Sequence, residues 1–296
     1  MPNGMNGNGW SEATWKEIND GVLKEVGQIR VAQKVFPTSK LDNPQTVPDD
    51  TLNLANFSIE EGRTKPLVEI SAGFPLTPNQ ATNEATERGG QKLSRLRAKD
   101  VALVEDRVIF LGIDAPVLQG VNVRNANLQS VGRGLLGLAT PRPAPDLYNP
   151  PILPIPVNQL PANRRVGGLI YGENTFNSVV LGIAALNAQL QPGPYALILE
   201  YSVFGDTNVA LGTNLTTTAD RISPLVAGGL VGTAALPLRT GLLVSLGGEP
   251  TTLYVGVDTT TSFAQKDANE THLFRVFERI QFNARDARAF VRLDFV

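Results

Sequence analysis

The sequence holds no cysteine, which removes disulfides, thiolate metal sites and cysteine nucleophiles together and leaves thiol usage silent about redox compartment. It has one histidine, His272, so an ordinary zinc site cannot be assembled from its side chains. Charge is sparse as well. Asp, Glu, Lys and Arg make up 18% of the 296 residues, the formal net charge is -2, and the basic residues form no dense run; this argues against a nucleic-acid or polyanion surface. No stretch approaches the roughly 20 apolar residues of a membrane span. Met1 to Gly9 is rich in Asn and Gly and shows neither the basic start nor the apolar core of a secretory signal. The expected setting is the cytoplasm, away from membranes.

What is present suits a globular chain: 42% of the residues are hydrophobic, enough for one large domain or two modest ones. Ser11 is placed to cap a helix whose apolar stripe is Trp15, Ile18, Val22, Val26 and Ile29, and the stripe gives out near Lys34. Pro37, Pro44 and Pro48 predict extended or irregular chain over 37–50. Residues Leu52 to Leu76 read as a two-stranded arm turning at Glu61 and Gly62. From Asn83 to Leu111 helical spacing predicts the longest helix, stopped by Gly112.

Eight prolines between Pro141 and Pro161 mark residues 121–172 as an exposed insertion. A short helix over Phe176 to Gln189 and a buried strand over Ala196 to Leu199 follow. Leu242 to Leu246 and Leu253 to Val257, joined by Gly247-Gly248-Glu249-Pro250, predict a hairpin. A second hairpin is expected from Leu273 to Phe282 and Ala289 to Phe295.

Chemistry is hard to find. His272 lies in a strand-like stretch with no Gly-x-Ser-x-Gly turn anywhere to supply a nucleophile. Glu105 and Asp106 are neighbours on one helix, so they point about 100° apart and cannot face each other as an acid/base pair; solvated or ion-paired charges are the better account. Glu60 and Glu61 read as solvated turn charges. Gly228-Gly229-Leu230-Val231-Gly232 lacks the Lys-Ser/Thr of a phosphate loop and the spacing of a dinucleotide fold. No enzyme activity, metal or cofactor is expected.

The order of elements and a collinear set of motifs resemble the encapsulins. Trp10 to Asn19 is similar to their first helix, and Leu67-Val68-Glu69-Ile70 with Phe74 to the return strand of their arm. Val104-Glu105-Asp106-Arg107-Val108-Ile109-Phe110-Leu111-Gly112 resembles the end of their spine helix. Gly193-Pro194-Tyr195-Ala196-Leu197, Leu243-Val244-Ser245, Val255-Gly256-Val257-Asp258 and Phe274 to Phe295 follow in the family's order.

The resemblance implies an α+β chain of the Hong Kong 97 phage major capsid-like fold. Residues 1–50 would be the N-terminal arm, helix and start of the peripheral domain, 51–76 the extended loop, 77–120 the spine helix and 121–172 the Pro-rich insertion. The axial domain would take 173–258 and the C-terminal hairpin of the peripheral domain 259–296. It further implies an icosahedral cytoplasmic homo-oligomer enclosing a cargo enzyme, ferritin-like or a peroxidase, that bears a targeting peptide, with no nucleic acid inside. Leu211, Gly212, Thr213, Asn214, Leu215 and Thr216 would line the five-fold pore, and their lack of charge implies weak charge selectivity. Trp15, Ile18 and Lys34 fall in the region where the family docks cargo.

Two departures stand out. The Asn/Gly-rich head replaces the family's aromatic and basic stretch, and Val31-Ala32-Gln33-Lys34-Val35-Phe36 keeps only Lys34 of its Gly-Arg-Lys-aromatic run. Thr77-Pro78-Asn79-Gln80 stands where some members carry a flavin-stacking aromatic, so no flavin is expected. Rival readings are a tailed-phage major capsid protein, which shares the fold, a hydrolase or bacteriocin-type activity, and a monomeric module using its Pro-rich loop as a ligand.

Overall fold

The computed structural model describes residues 9–53, 58–60, 62–112, 115–124, 132–139, 152–165, 169–210 and 216–296. Helix α1 (Glu12–Ile29) starts where expected: the Ser11 hydroxyl accepts the Thr14 N–H at 3.2 Å, and Trp15, Ile18, Val22 and Val26 are buried. It ends sooner than the stripe suggests. The Asp106 carboxylate accepts the N–H groups of Val31 and Ala32 at 2.8 and 2.9 Å, which turns the chain into a separate short helix, α2 (Ala32–Val35).

Strands β1 (Thr38–Lys40), β2 (Thr46–Pro48), β3 (Thr51–Asn53), β4 (Ser58–Glu60), β5 (Thr64–Pro66) and β6 (Val68–Leu76) follow. The arm exists, but its limits differ from the sequence-based expectation. β2 pairs with β5 and β3 with β4, both antiparallel, so the chain reverses between Asn53 and Ser58 and not at Glu61-Gly62. Gly62 lies in the returning limb, and Glu61 lies outside the described residues. β6 is no part of the arm: it runs between two partners in a five-stranded sheet and buries Val68, Ile70, Ala72, Phe74 and Leu76. The expected extended loop over 51–76 is therefore an arm over 46–66 followed by a core strand. Pairing of β6 with β13 on one edge and β7 on the other, partners distant in sequence that the motif Leu67 to Ile70 does not advertise, makes the difference.

Short helices α3 (Pro78–Thr82) and α4 (Glu84–Glu87) precede α5 (Gly89–Leu111). Thr77 and Gln80 form a capping box at α3. The buried Glu84 carboxylate accepts the N–H groups of Gly90 and Gln91 at 2.7 and 2.9 Å, satisfying two of the orphan donors at the start of α5. At 23 residues α5 is the longest helix described. It stops at Gly112, whose φ of +67° is a glycine conformation and whose missing Cβ lets the backbone of Gly132 and Gly134 approach. Gly112→Ala would drive a methyl group into that backbone at an unfavourable φ, and is expected to destabilise the subunit by about 2–4 kcal/mol, read as a lowered urea midpoint.

The remaining elements are β7 (Val121–Arg124), α6 (Gly134–Leu138), β8 (Ile155–Val157), α7 (Glu173–Ala188), β9 (Tyr195–Glu200), α8 (Tyr201–Thr207), α9 (Thr218–Ile222), β10 (Gly229–Thr233), β11 (Thr240–Ser245), β12 (Thr251–Lys266), β13 (His272–Ala284) and β14 (Phe290–Phe295). The first sheet has the order β1-β12-β13-β6-β7 and is covered by α1 and α5; the second has the order β10-β9-β11-β14-β8 and carries α7. The span 121–172 is not simply an exposed insertion. β7 forms an edge of the first sheet, β8 runs parallel to β14 in the second, and Leu135 and Leu136 of α6 are buried against α5. Residues 140–151, with the densest prolines, lie outside the described residues.

Both hairpins expected in the C-terminal third are overturned. β11 pairs with β9 and β14, whereas β12 pairs with β13 and β1, so Gly247 to Pro250 carries the chain from one sheet to the other. β13 and β14 likewise belong to different sheets. The hairpin that does form joins β12 to β13, and its turn is held by Asp267 Oδ1, which accepts the N–H groups of Asn269 and Thr271 at 2.9 Å each. The limit at 258/259 consequently falls inside β12, and β14 sits in the second sheet. A run of apolar residues buried on both faces does not tell which neighbour it will pair with.

Candidate functional site

Three regions are candidates for function: the arm, the N-terminal helix face and the loop before α9. The arm is rooted by Val47, Leu67 and Tyr254, which form a small buried cluster, and by Lys65 to Asp49 at 2.5 Å. Asn283 Nδ2 donates to the Asp50 carbonyl at 3.4 Å. Beyond that root the two limbs are joined by the short β3–β4 ladder, and Ile59 is 55% exposed. A two-stranded ribbon with an apolar side chain in water is marginal by itself and leaves edges to be covered.

The docking candidates separate. Trp15 and Ile18 are 2% and 1% exposed, so they are core residues and cannot meet a second protein as the subunit stands. Trp15 lies against Trp10 and Phe274, with ring centroids at 5.1 and 6.2 Å. Lys34 alone is exposed, its Nζ donating to the Gln28 carbonyl at 2.9 Å. Sequence reasoning misses Trp10 as a structural anchor: it stacks on Phe274 at 4.8 Å and donates from Nε1 to the Ala81 carbonyl at 2.7 Å. Leu211 to Leu215 of the expected pore loop lie outside the described residues. Thr216 is exposed, next to a β-bridge between Ala210 and Thr217 that brings the two ends of the loop together.

His272 belongs to the same aromatic wall as Trp10. It packs edge-on to Phe263 at 5.9 Å, and its Nδ1 makes no hydrogen bond among the described residues. Burial, helped by Lys266, holds its pKa below the usual histidine value, so the ring is neutral at neutral pH. Gly228 and Gly229 lead into β10, where the Gly228 N–H donates to the Tyr195 carbonyl at 2.7 Å. That glycine pair fits a strand beside β9 and not a phosphate cradle.

Glu105 and Asp106 are both buried and not solvated; of the two alternatives expected for them, the ion pair holds for Glu105, with Arg30. Arg30, at the end of α1, gathers carboxylates from three elements. Its Nε lies 2.5 Å from Glu105 Oε2, its Nη1 donates to Asp258 Oδ1 at 3.1 Å, and its Nη2 meets Glu278 Oε2 and the Thr259 hydroxyl. Gln33 Nε2 donates to Glu105 Oε1 at 2.8 Å, and the Thr259 hydroxyl donates to Glu278 Oε2 at 2.7 Å. The ties join α1, α5, β12 and β13, which fixes the helical layer on the first sheet. Burial pushes the Glu105 and Glu278 carboxyls above the usual range, and raises Asp106 to about 7 against the pull of its two backbone donors.

Two sheets of this topology, a long spine helix and a two-stranded arm make up the Hong Kong 97 capsid fold. The structure titled virus-like particle from Pyrococcus furiosus matches with a TM-score of 0.65 at 12% identity, covering 96% of this chain and 100% of that one. The capsid of an empty GTA particle matches with a TM-score of 0.57 at 13% identity, covering 90% and 89%. A holo encapsulin complex from Synechococcus elongatus matches with a TM-score of 0.50 at 10% identity, covering 89% and 86%. A family model described as encapsulating protein for peroxidase matches residues 161–281. No curated protein matches by sequence. The chain thus has the Hong Kong 97 capsid fold, and over residues 161–281 it is similar to the encapsulating-protein family. Among the described residues no helix is long and apolar enough to cross a membrane.

Proposed function

We propose that copies of this chain close into an icosahedral cytoplasmic shell around a cargo enzyme that bears a targeting peptide. A peroxidase cargo is the reading the family-model match favours; a ferritin-like cargo, with a role in iron storage or oxidative defence, is what the encapsulin resemblance adds as the alternative. The observation that carries the shell is the arm over 46–66, too small to be stable alone and bearing exposed Ile59, which a second copy can cover. Function then rests in interfaces and in the pore loop around Thr216 and not in a catalytic constellation. Lys34, open to solvent, is the one of the three docking candidates able to meet an acidic group on a targeting peptide.

Negative-stain electron microscopy and size-exclusion chromatography of the purified protein test this directly. Uniform hollow particles carrying a co-purified enzyme are expected; a monomer across salt and pH conditions would sink the proposal. The likeness to the GTA capsid favours a second reading, a phage-type container. Particles holding nuclease-protected nucleic acid and no protein cargo would support that one.

A further inference from the structure

The arrangement around Arg30 has an imbalance of charge. One guanidinium, 5% exposed at its side chain, faces Glu105 and Glu278, both 0% exposed, with Asp106 at 1% close behind. Asp258, from β12, is a third partner but is 33% exposed and also meets Lys40 of β1 at 3.3 Å. The groups facing the cluster are therefore Arg30 from α1, Glu105 and Asp106 from α5, Asp258 from β12, Glu278 from β13 and, at the solvent edge, Lys40. Three buried carboxyls against one buried cation leave a surplus of negative charge where water cannot screen it.

Hydrogen bonding says where the surplus is least tolerated. Asp106 has two backbone donors; Glu105 Oε1 accepts from Gln33, and Glu105 Oε2, which accepts no hydrogen bond among the described residues, has the Arg30 ion pair at 2.5 Å. Glu278 Oε2 has Arg30 and Thr259, but Glu278 Oε1 is buried with no hydrogen-bond partner among the described residues. An oxygen in that position is much better accommodated as part of a neutral carboxyl than of a carboxylate.

We propose that the three buried carboxyls retain a shared proton around neutral pH, and that its removal in mild alkali loosens the tie between α1, α5 and β13. The cluster is then a built-in pH-sensitive latch, with Glu278 as the residue that makes it unbalanced. The sign follows from linkage. A carboxyl whose pKa is higher folded than unfolded binds more protons in the folded state, so the stability it lends is complete below the unfolded value of about 4.3 and is lost as pH rises through the folded one. The loss for each group runs from its unfolded value up to its folded one: Asp106, raised to about 7, has given up most of its share by neutral pH, and the share proposed to remain above neutral belongs to Glu105 and Glu278, which face the single Arg30 cation. His272, held neutral by burial, acts in the opposite sense below about pH 6.5, so the comparison starts above that point.

The test is the melting temperature of the full chain between about pH 7 and about pH 9, for the wild type, Glu278→Gln and Asp258→Asn; it reads folding whether or not the chain assembles. The wild-type value is expected to fall by a few degrees. Glu278→Gln, in which the amide imitates the protonated acid, should match the wild type at the lower pH and exceed it at the higher. Asp258→Asn, at the solvent edge, should keep the wild-type slope. A wild-type melting temperature that is flat or rises over this range overturns the proposal. So does a Glu278→Gln slope equal to the wild type's, or a Glu278→Gln chain that does not fold at the lower pH.

Discussion

Arg30→Met is expected to destabilise the subunit by about 3–5 kcal/mol, because it leaves the buried carboxyls of Glu105 and Glu278 without their cation. Methionine fills much of the arginine stem's volume, so the loss reports charge and hydrogen bonding more than a cavity. Arg30→Lys should recover little. An ammonium is a point charge and cannot reach Glu105, Asp258 and Glu278 together, as the guanidinium fork does through Nε, Nη1 and Nη2. Urea denaturation gives the measurement, and the double variant Arg30→Met with Glu278→Gln should regain part of the loss by removing one stranded charge. A single Arg30→Met variant within about 1 kcal/mol of wild type would mean that the cluster is worth little to the fold.

The second large effect concerns assembly and spares the subunit. Replacing residues 51–60 with a short Gly-Ser turn removes the β3–β4 tip of the arm but leaves the root cluster of Val47, Leu67 and Tyr254 and the β2–β5 pairing. The melting temperature of the unassembled chain should stay within a few degrees of its intact counterpart. Particle yield should drop by at least about tenfold, since a loss of only ~1.4 kcal/mol at a contact weakens it tenfold and the contact repeats at every copy of a closed shell. Electron microscopy and elution volume read the result together. Abundant intact particles from the shortened chain would show that the arm does not fasten one subunit to the next.

Local periodicity brings the helices into view. The stripe from Trp15 to Val26 and the stop at Gly112 are visible because helix burial repeats along the chain and a left-handed glycine ends it. Strand pairing is not legible in the same way. β11 is buried at every position, so it shows no alternation to indicate a partner, and proximity in sequence suggests β12 where the fold chooses β9 and β14. The arm is visible but misplaced, since the pairing of Thr46 to Pro48 with Thr64 to Pro66 involves two short, Pro-containing segments with little strand character.

The charge cluster is hidden for a different reason. Arg30 and Glu278 are 248 residues apart in sequence, and Glu105-Asp106 resembles an ordinary surface pair on a polar helix. One signal is available: in β13, Phe274, Val276 and Ile280 face inward at alternate positions, and Glu278 takes the place of an apolar residue in that series. A charge in an inward-facing register asks for a buried partner. Trp15 and Ile18 illustrate the opposite error, in which a motif shared with a family's docking region marks packing and not a contact surface.

The crossings after β11 and after β13 have a mechanical consequence. Each sheet receives one strand directly from the other, through Gly247 to Pro250 and through Arg285 to Ala289. A displacement of either layer is thereby passed along covalent chain to its companion at two places, which ties the two sheets of the subunit to each other.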